Sequence, residues 1–189
     1  MAEHQARSET SVGQHAVRMV ALLAMWAVAH GATAVALFSI GQFVPLASNV
    51  ELYMLPIGLG AVQAILLRKS LRWWMLAWVP ASLLGLFLSF FGIWWFLLCI
   101  GLGMGTTQAM VLSAARVRRS WLWPFSSGAG WIIGMFVGHP LSQQLSALVG
   151  QEWLEMAAVY GVTTFIYGFF VGANAAVLKR SERLDQPKT

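Results

Sequence analysis

Charged residues are scarce in this chain. They make up 10% of its 189 residues, whereas hydrophobic residues make up 58% and the mean hydropathy is +0.68. A soluble domain of this length does not need so much apolar surface. The interiors of the long apolar runs hold no Asp, Glu, Lys or Arg, although proton relays and ion-coupled transporters depend on such buried groups. The sequence therefore disfavours a coupled antiporter.

Cysteine pairs and catalytic motifs are also missing. The single cysteine, Cys99, lies inside an apolar run, so no intrachain disulfide or cysteine metal site can form. No His-Glu-x-x-His helix, Gly-x-Ser-x-Gly elbow or pair of intramembrane aspartates occurs. The glycines at 101–105 lack the preceding strand that a phosphate-binding loop requires. We therefore expect no enzyme activity and no metal site.

Six apolar runs predict the fold. A hydrocarbon core of about 30 Å takes roughly 20 helical residues. The predicted spans are residues 19–40, 51–67, 73–91, 93–114, 122–139 and 156–178, the long run 73–115 being divided near residues 91–92. A polar segment at 1–18 precedes this transmembrane domain of residues 19–178, a basic tail at 179–189 follows it, and residues 141–150 suit a short interfacial helix. The sequence predicts an all-α membrane protein with six transmembrane helices.

The basic residues predict the orientation. All twelve Lys and Arg residues lie before the first run, after the sixth, or in the connections between the second and third and the fourth and fifth runs. The alternate connections hold no basic residue. They contain Glu152 and Glu155, and Glu51 lies at the mouth of the second run. Because cytoplasmic loops are enriched in Lys and Arg, both termini are predicted in the cytoplasm, in the inner membrane or another energy-transducing membrane. This topology accounts for the pI of about 10.0, so we expect no nucleic-acid partner.

Parts of the second run recur 45 residues later in the fourth run. The matching pairs are Gly58 and Gly103, Gly60 and Gly105, Gln63 and Gln108, Ala64 and Ala109, and Leu67 and Leu112. The sixth run keeps a weaker match at Asn174 and Leu178, and an offset of 49 pairs Trp74 with Trp123. This periodicity predicts three repeated helical hairpins in one orientation.

The repeated segment resembles a known group of sequences. Residues 60–68 (GAVQAILLR), the Trp73-Trp74 pair and residues 126–134 (SSGAGWIIG) are similar to uncharacterised multi-spanning bacterial membrane proteins of the cyanobacterial and Chloroflexota type. Their pattern is Gly-x-x-Gln-Trp-x-x-Leu-Arg followed by a Gly-Trp-x-x-Gly helix. Ala64 and Ala109 stand where that pattern has Trp, and the second copy lacks the Arg. The resemblance implies a multi-span helical fold and no particular activity.

Gln63, Gln108 and Asn174 are the candidate ligand-binding residues. In lipid, polar side chains need protein partners. One interpretation is that the two glutamines clamp neighbouring helices near the cytoplasmic side. The other is that all three side chains converge on a pseudo-symmetric site for a ligand or a lipid head group. The sequence leaves both open.

His30 is the candidate cofactor-binding residue. It lies 12 residues after Arg18, which is about 18 Å along a helix and near the bilayer midplane. A neutral histidine that is hydrogen-bonded inside the helix bundle is one interpretation. The other is an axial ligand to a macrocyclic pigment or haem, since imidazole commonly has that role.

The sequence leaves two functions open. Spans rich in Trp, Phe and Gly, with short loops and no buried charge, favour a non-enzymatic accessory or scaffold subunit within a larger membrane protein complex, in contact with membrane lipid and holding lipid or pigment. The alternative is a small-molecule transport or substrate-binding component, for which the glutamines and the prolines at 56 and 80 would form the site.

Overall fold

The computed structural model describes residues 2–43, 50–90, 96–149 and 152–184. Every regular element in these ranges is helical, which confirms the predicted all-α class. The elements are α1 (Ala2–Phe43), α2 (Val50–Leu71), a 3-10 turn (Arg72–Trp74), α3 (Met75–Ser89), α4 (Phe96–Ala114), α5 (Leu122–Val149) and α6 (Glu152–Leu184).

The helices are longer than the predicted apolar runs at several ends. The polar segment from residue 2 to 18 continues α1 instead of preceding it. Helix α5 runs through Pro140 to Val149, so residues 141–149 continue the fifth helix and do not form a separate interfacial one. A proline removes one backbone donor but keeps a helical φ, which allows the helix to continue with a local distortion. The predicted division at residues 91–92 lies outside the described residues.

Among the residues that the structure describes, three helical stretches are long and apolar enough to cross a membrane. They are Ala16–Ile40, Met54–Ser89 and Glu155–Leu178, with mean hydropathies of 1.8, 1.4 and 1.5. The second stretch contains both α2 and α3, which are separated by the 3-10 turn. Large apolar side chains such as Leu76 and Phe136 are more than 70% exposed. A surface of this kind suits lipid contact.

The six helices close into a ring. Consecutive helices contact one another, and α6 returns to pack along α1, which has its most extensive contact there. Small residues permit the close approach between helices. A Cβ atom on Gly134 of α5 would lie 2.6 Å from the carbonyl oxygen of Thr163 on α6, and one on Gly168 would lie 2.7 Å from that of Trp26 on α1. These glycines therefore serve helix packing within the chain.

Two of the helices end on an arginine in the left-handed region. At the end of α4, Arg116 has φ 59°, and its N–H donates to the carbonyl of Ser113 at 2.9 Å. The N–H of Val117 donates to the carbonyl of Leu112 at 2.8 Å, which completes a Schellman motif. Arg72, with φ 54°, follows the last residue of α2. Both α2–α3 and α4–α5 reverse direction at these basic turns.

Candidate functional site

Gln63 and Gln108 meet inside the ring. Each side chain is fully buried, Gln63 on α2 and Gln108 on α4. The Nε2 group of Gln108 donates a hydrogen bond to Oε1 of Gln63 at 2.8 Å. These two helices are not neighbours in the ring, so the bond joins the hairpins α2–α3 and α4–α5 across its interior.

Gln63 uses its full hydrogen-bonding capacity. Its Oε1 atom accepts from Gln108 and from the indole Nε1 of Trp78 at 3.1 Å. Its Nε2 group donates to the hydroxyl of Tyr167 at 3.0 Å and to Nε2 of His30 at 3.1 Å. An amide has two acceptor positions and two donors. Gln63 therefore has no group left for a ligand in this arrangement.

His30 is enclosed by the same network. Its ring is fully buried, stacks on Trp26 at 5.4 Å between centroids and meets the edge of Tyr167 at 5.6 Å. Because a carbonyl oxygen can only accept, the 2.7 Å contact of Nδ1 with the carbonyl of Trp26 assigns the ring proton to Nδ1. Nε2 then accepts from Gln63. Both ring nitrogens are occupied, so an axial metal ligand here requires displacement of Gln63.

Gln108 extends the network to a second tryptophan. Its Oε1 atom accepts from Nε1 of Trp123 at 2.7 Å, and its Nε2 group donates to Oγ of Ser82 at 2.8 Å as well as to Gln63. The rings of Trp78 and Trp123 meet edge to face, with centroids 5.5 Å apart. Amide and indole groups thus satisfy each other in the interior, as buried polar groups must.

The two hairpins make the same contacts at positions 45 residues apart. In each, a tryptophan donates to the glutamine 15 residues before it. A Cβ atom on Gly60 would lie 2.7 Å from Oγ of Ser82, and one on Gly105 would lie 2.7 Å from Cβ of Ser127. Trp78 is therefore the equivalent of Trp123 in the first hairpin. The sequence offset of 49 had instead paired Trp123 with Trp74.

Helices α6 and α1 make a related but altered contact. A Cβ atom on Gly168 would lie 2.9 Å from Cβ of His30. This contact corresponds to those of Gly60 with Ser82 and of Gly105 with Ser127. The residue three positions after Gly168 is the fully buried Val171, where the other two helices have glutamine. The indole Nε1 of Trp26 is buried without a hydrogen-bond partner. The N–H of Trp26 thus lacks an acceptor in the one helix pair that has valine at the position of the glutamine.

Asn174 lies apart from the two glutamines. Its Nδ2 group donates to Oγ of Ser126 at 2.9 Å, and its Oδ1 atom has no partner. The structure thus brings together two members of the predicted set of three, Gln63 and Gln108. Tyr167 completes their surroundings, because its hydroxyl contacts Oγ of Ser127 at 3.2 Å as well as Gln63.

A small apolar cavity lies on the other side of the network from the basic turns. Its lining comes from α2, α3, α4, α5 and α6, at Leu55, Pro56, Leu59, Leu86, Ile100, Met104, Trp131 and Tyr160. No polar surface faces it. The space is only about the size of one water molecule. Trp131, whose buried Nε1 has no hydrogen-bond partner, belongs to this lining.

Sequence reasoning missed the indole and hydroxyl partners of the glutamines. Trp78 with Trp123, and Ser82 with Ser127, recur at the same offset of 45 residues as the glutamines, so the repeat contains a signal for them. Tyr167 has no such counterpart. Among the described residues, no three His, Cys, Asp or Glu side chains group together as metal ligands.

Comparison with protein-family models, with curated proteins and with solved structures gives no match for this chain.

Proposed function

We propose that this chain is a non-enzymatic integral membrane protein that serves as an accessory or scaffold subunit of a larger membrane complex. It crosses an inner or other energy-transducing membrane six times, with both termini in the cytoplasm. Three of its helical stretches have the length and hydropathy to cross a bilayer. The charge pattern supports the remaining crossings, because all basic residues fall on one side of a six-span arrangement.

The observation that carries the scaffold role is the saturation of the buried polar network. Both donors and both acceptor positions of Gln63 are hydrogen-bonded to protein partners. A transport or catalytic site needs polar groups that are free to exchange partners with a substrate. A saturated network instead fixes the relative positions of helices. The exposed apolar surface is then left for lipid and for neighbouring subunits.

Purification from native membranes in mild detergent tests this role. A scaffold subunit migrates with a much larger complex, and tagged protein recovers the same set of partners repeatedly. A monodisperse small protein that retains a polar ligand would contradict it. The variant Gln144→Leu changes an exposed glutamine and should leave the migration unaltered.

The matched contacts also support a common origin for three hairpins. The α2–α3 and α4–α5 pairs use the same glycine, glutamine, tryptophan and serine positions. In this proposal α6 and α1 are the third pair, divided between the two ends of the chain and joined by ring closure. We also propose kinship with the uncharacterised multi-spanning bacterial proteins, on the basis of this repeated motif.

A further inference from the structure

The two basic turns carry positive charge, and no acidic residue lies near them in the sequence. Arg68, Lys69 and Arg72 lie at the α2–α3 turn, and Arg116 and Arg119 lie at the α4–α5 turn. All five side chains are exposed. From residue 52 to residue 151 the sequence contains no Asp or Glu. The counter-charge for these turns must therefore come from more distant parts of the chain or from outside it.

The backbone at these turns adds a second observation. In the described part of the chain, the non-glycine residues with positive φ are Arg72, Arg116 and Arg119, at 54°, 59° and 61°. This conformation costs an L-residue about 1–2 kcal/mol, and glycine is its usual occupant. The chain has 18 glycines but none at these three positions. Arginine is thus kept where the backbone disfavours it, which indicates a role for the side chain.

Both turns lie at the same depth in the bundle. The hydrogen bond between Gln63 and Gln108 holds these two residues at the same height along the axis of the bundle. Arg72 follows Gln63 by nine residues, and Arg116 follows Gln108 by eight, each by way of a continuous helix. The exposed guanidinium groups therefore face the same side of the molecule.

An exposed tryptophan and an exposed apolar residue follow each turn. Trp73 is 66% exposed and stacks on Trp74, and Leu76 one turn later is 75% exposed. Trp121 and Phe125 are exposed in the same way after the second turn and contact each other edge to face. The order cation, indole, apolar side chain matches the order phosphate, glycerol region, acyl chain in a phospholipid leaflet.

We propose that the two basic turns form a binding surface for the head groups of anionic phospholipids, with Arg72, Arg116 and Arg119 as its principal phosphate ligands. The exposed indoles and apolar residues lie beside the acyl chains of the same lipids. An acidic soluble protein would satisfy the charges but would leave Leu76 and Phe125 unexplained. This inference rests on the proposed placement of these turns at a membrane surface.

Lipid quenching of tryptophan fluorescence tests this surface directly. The full-length protein is reconstituted in phosphatidylcholine bilayers and titrated with dibrominated phosphatidylglycerol or dibrominated phosphatidylcholine. Both leaflets then hold the same lipids, so the result does not depend on which side the turns face. We expect phosphatidylglycerol to quench at lower mole fraction, by about fivefold per interacting arginine, and the difference to shrink in 1 M salt as exposed charges are screened.

The variants separate charge from folding. Arg72→Gln/Arg116→Gln/Arg119→Gln should lose most of the phosphatidylglycerol preference, whereas the same three changes to Lys should keep most of it. Millimolar inorganic phosphate should not reduce the quenching by phosphatidylglycerol. Equal quenching of the unmodified protein by both lipids, or an unchanged preference in the glutamine variant, would overturn the proposal. Competition by free phosphate would overturn its assignment to a lipid.

Discussion

Gln63 accepts a hydrogen bond from Gln108 at 2.8 Å, and each of these amides also accepts one from the tryptophan 15 residues after it, Trp78 for the first and Trp123 for the second. The bond links helices that have no extensive direct contact with each other. Two hairpins with matching interiors are thereby held in one register. The predictions below follow from this network and from the helix contacts around it.

The first prediction concerns the shared amide. Gln108→Leu leaves the indole N–H of Trp123 without an acceptor in the interior of the helix bundle. We expect the free energy of unfolding in detergent to fall by about 1–2 kcal/mol, since an unsatisfied buried donor is costly although membrane hydrogen bonds are individually modest. Denaturant titration followed by far-UV circular dichroism measures it. The exposed Gln144→Leu is the control, and equal stability of the two variants would contradict the account.

A second prediction contrasts two equally buried tryptophans. The N–H of Trp123 donates to Gln108, whereas the N–H of Trp26 has no partner. Replacement by Phe removes a similar ring area from both sites but breaks a hydrogen bond only at Trp123. We expect Trp123→Phe to cost about 1 kcal/mol more than Trp26→Phe in the same titration. A larger loss at Trp26 would show that its indole nitrogen has a partner after all.

The third prediction restores the missing acceptor. Val171 in α6 stands three residues after Gly168, as Gln63 in α2 and Gln108 in α4 stand three residues after Gly60 and Gly105. Its helix packs closely on Trp26 through Gly168 and Gly172, and the indole Nε1 of Trp26 has no partner. Glutamine and methionine have similar size, so Val171→Met controls for the added volume. Burial of an unpartnered amide would make Val171→Gln clearly less stable than Val171→Met. We expect Val171→Gln to be at least as stable as Val171→Met, because the carbonyl of the new glutamine accepts a hydrogen bond from Trp26. A much lower melting temperature for Val171→Gln would contradict the assignment.

The fourth prediction concerns the contact between α5 and α6. A Cβ atom on Gly134 would lie 2.6 Å from the backbone carbonyl of Thr163, which can move only with the helix. On Gly161 the close atom is instead the tip of the Val35 side chain, at 2.8 Å. We expect Gly134→Ala to lower the melting temperature well below that of Gly161→Ala, since overpacking typically costs about 1–3 kcal/mol. Similar values for both would argue against this packing.

Hydropathy was sufficient for the helical class because it is a local property of the sequence. The described part of each predicted span lies within an α-helix, except that residues 73–74 belong to the 3-10 turn and residue 90 lies beyond the end of α3. Helix ends were less predictable. Residues 2–18 carry no long apolar run, and Pro140 resembles a helix end, yet both lie inside helices. Helix continuation depends on backbone bonding that polar residues also support.

The site was predictable only where the sequence repeats. Gln63 and Gln108 were found through their offset, and they meet. The joining of His30 and Tyr167 to them depends on α6 lying against α1, a contact between distant parts of the chain. The sequence match aligned Asn174 with the two glutamines. In the structure Gly168 approaches His30 as Gly60 approaches Ser82, so the residue equivalent to the glutamines is Val171. Interhelical neighbours, and not local pattern, decide such details.

Cysteine labelling tests the six-span arrangement with cytoplasmic termini most directly. In a background with the sole cysteine changed, Cys99→Ser, single cysteines are introduced at Ser70 and Ser120 in the basic turns and at Gln144 near the opposite end. Intact cells are treated with a membrane-impermeant maleimide. We predict labelling of Gln144→Cys alone, with Ser70→Cys and Ser120→Cys labelled only after lysis. Labelling of either basic turn in intact cells would contradict the topology.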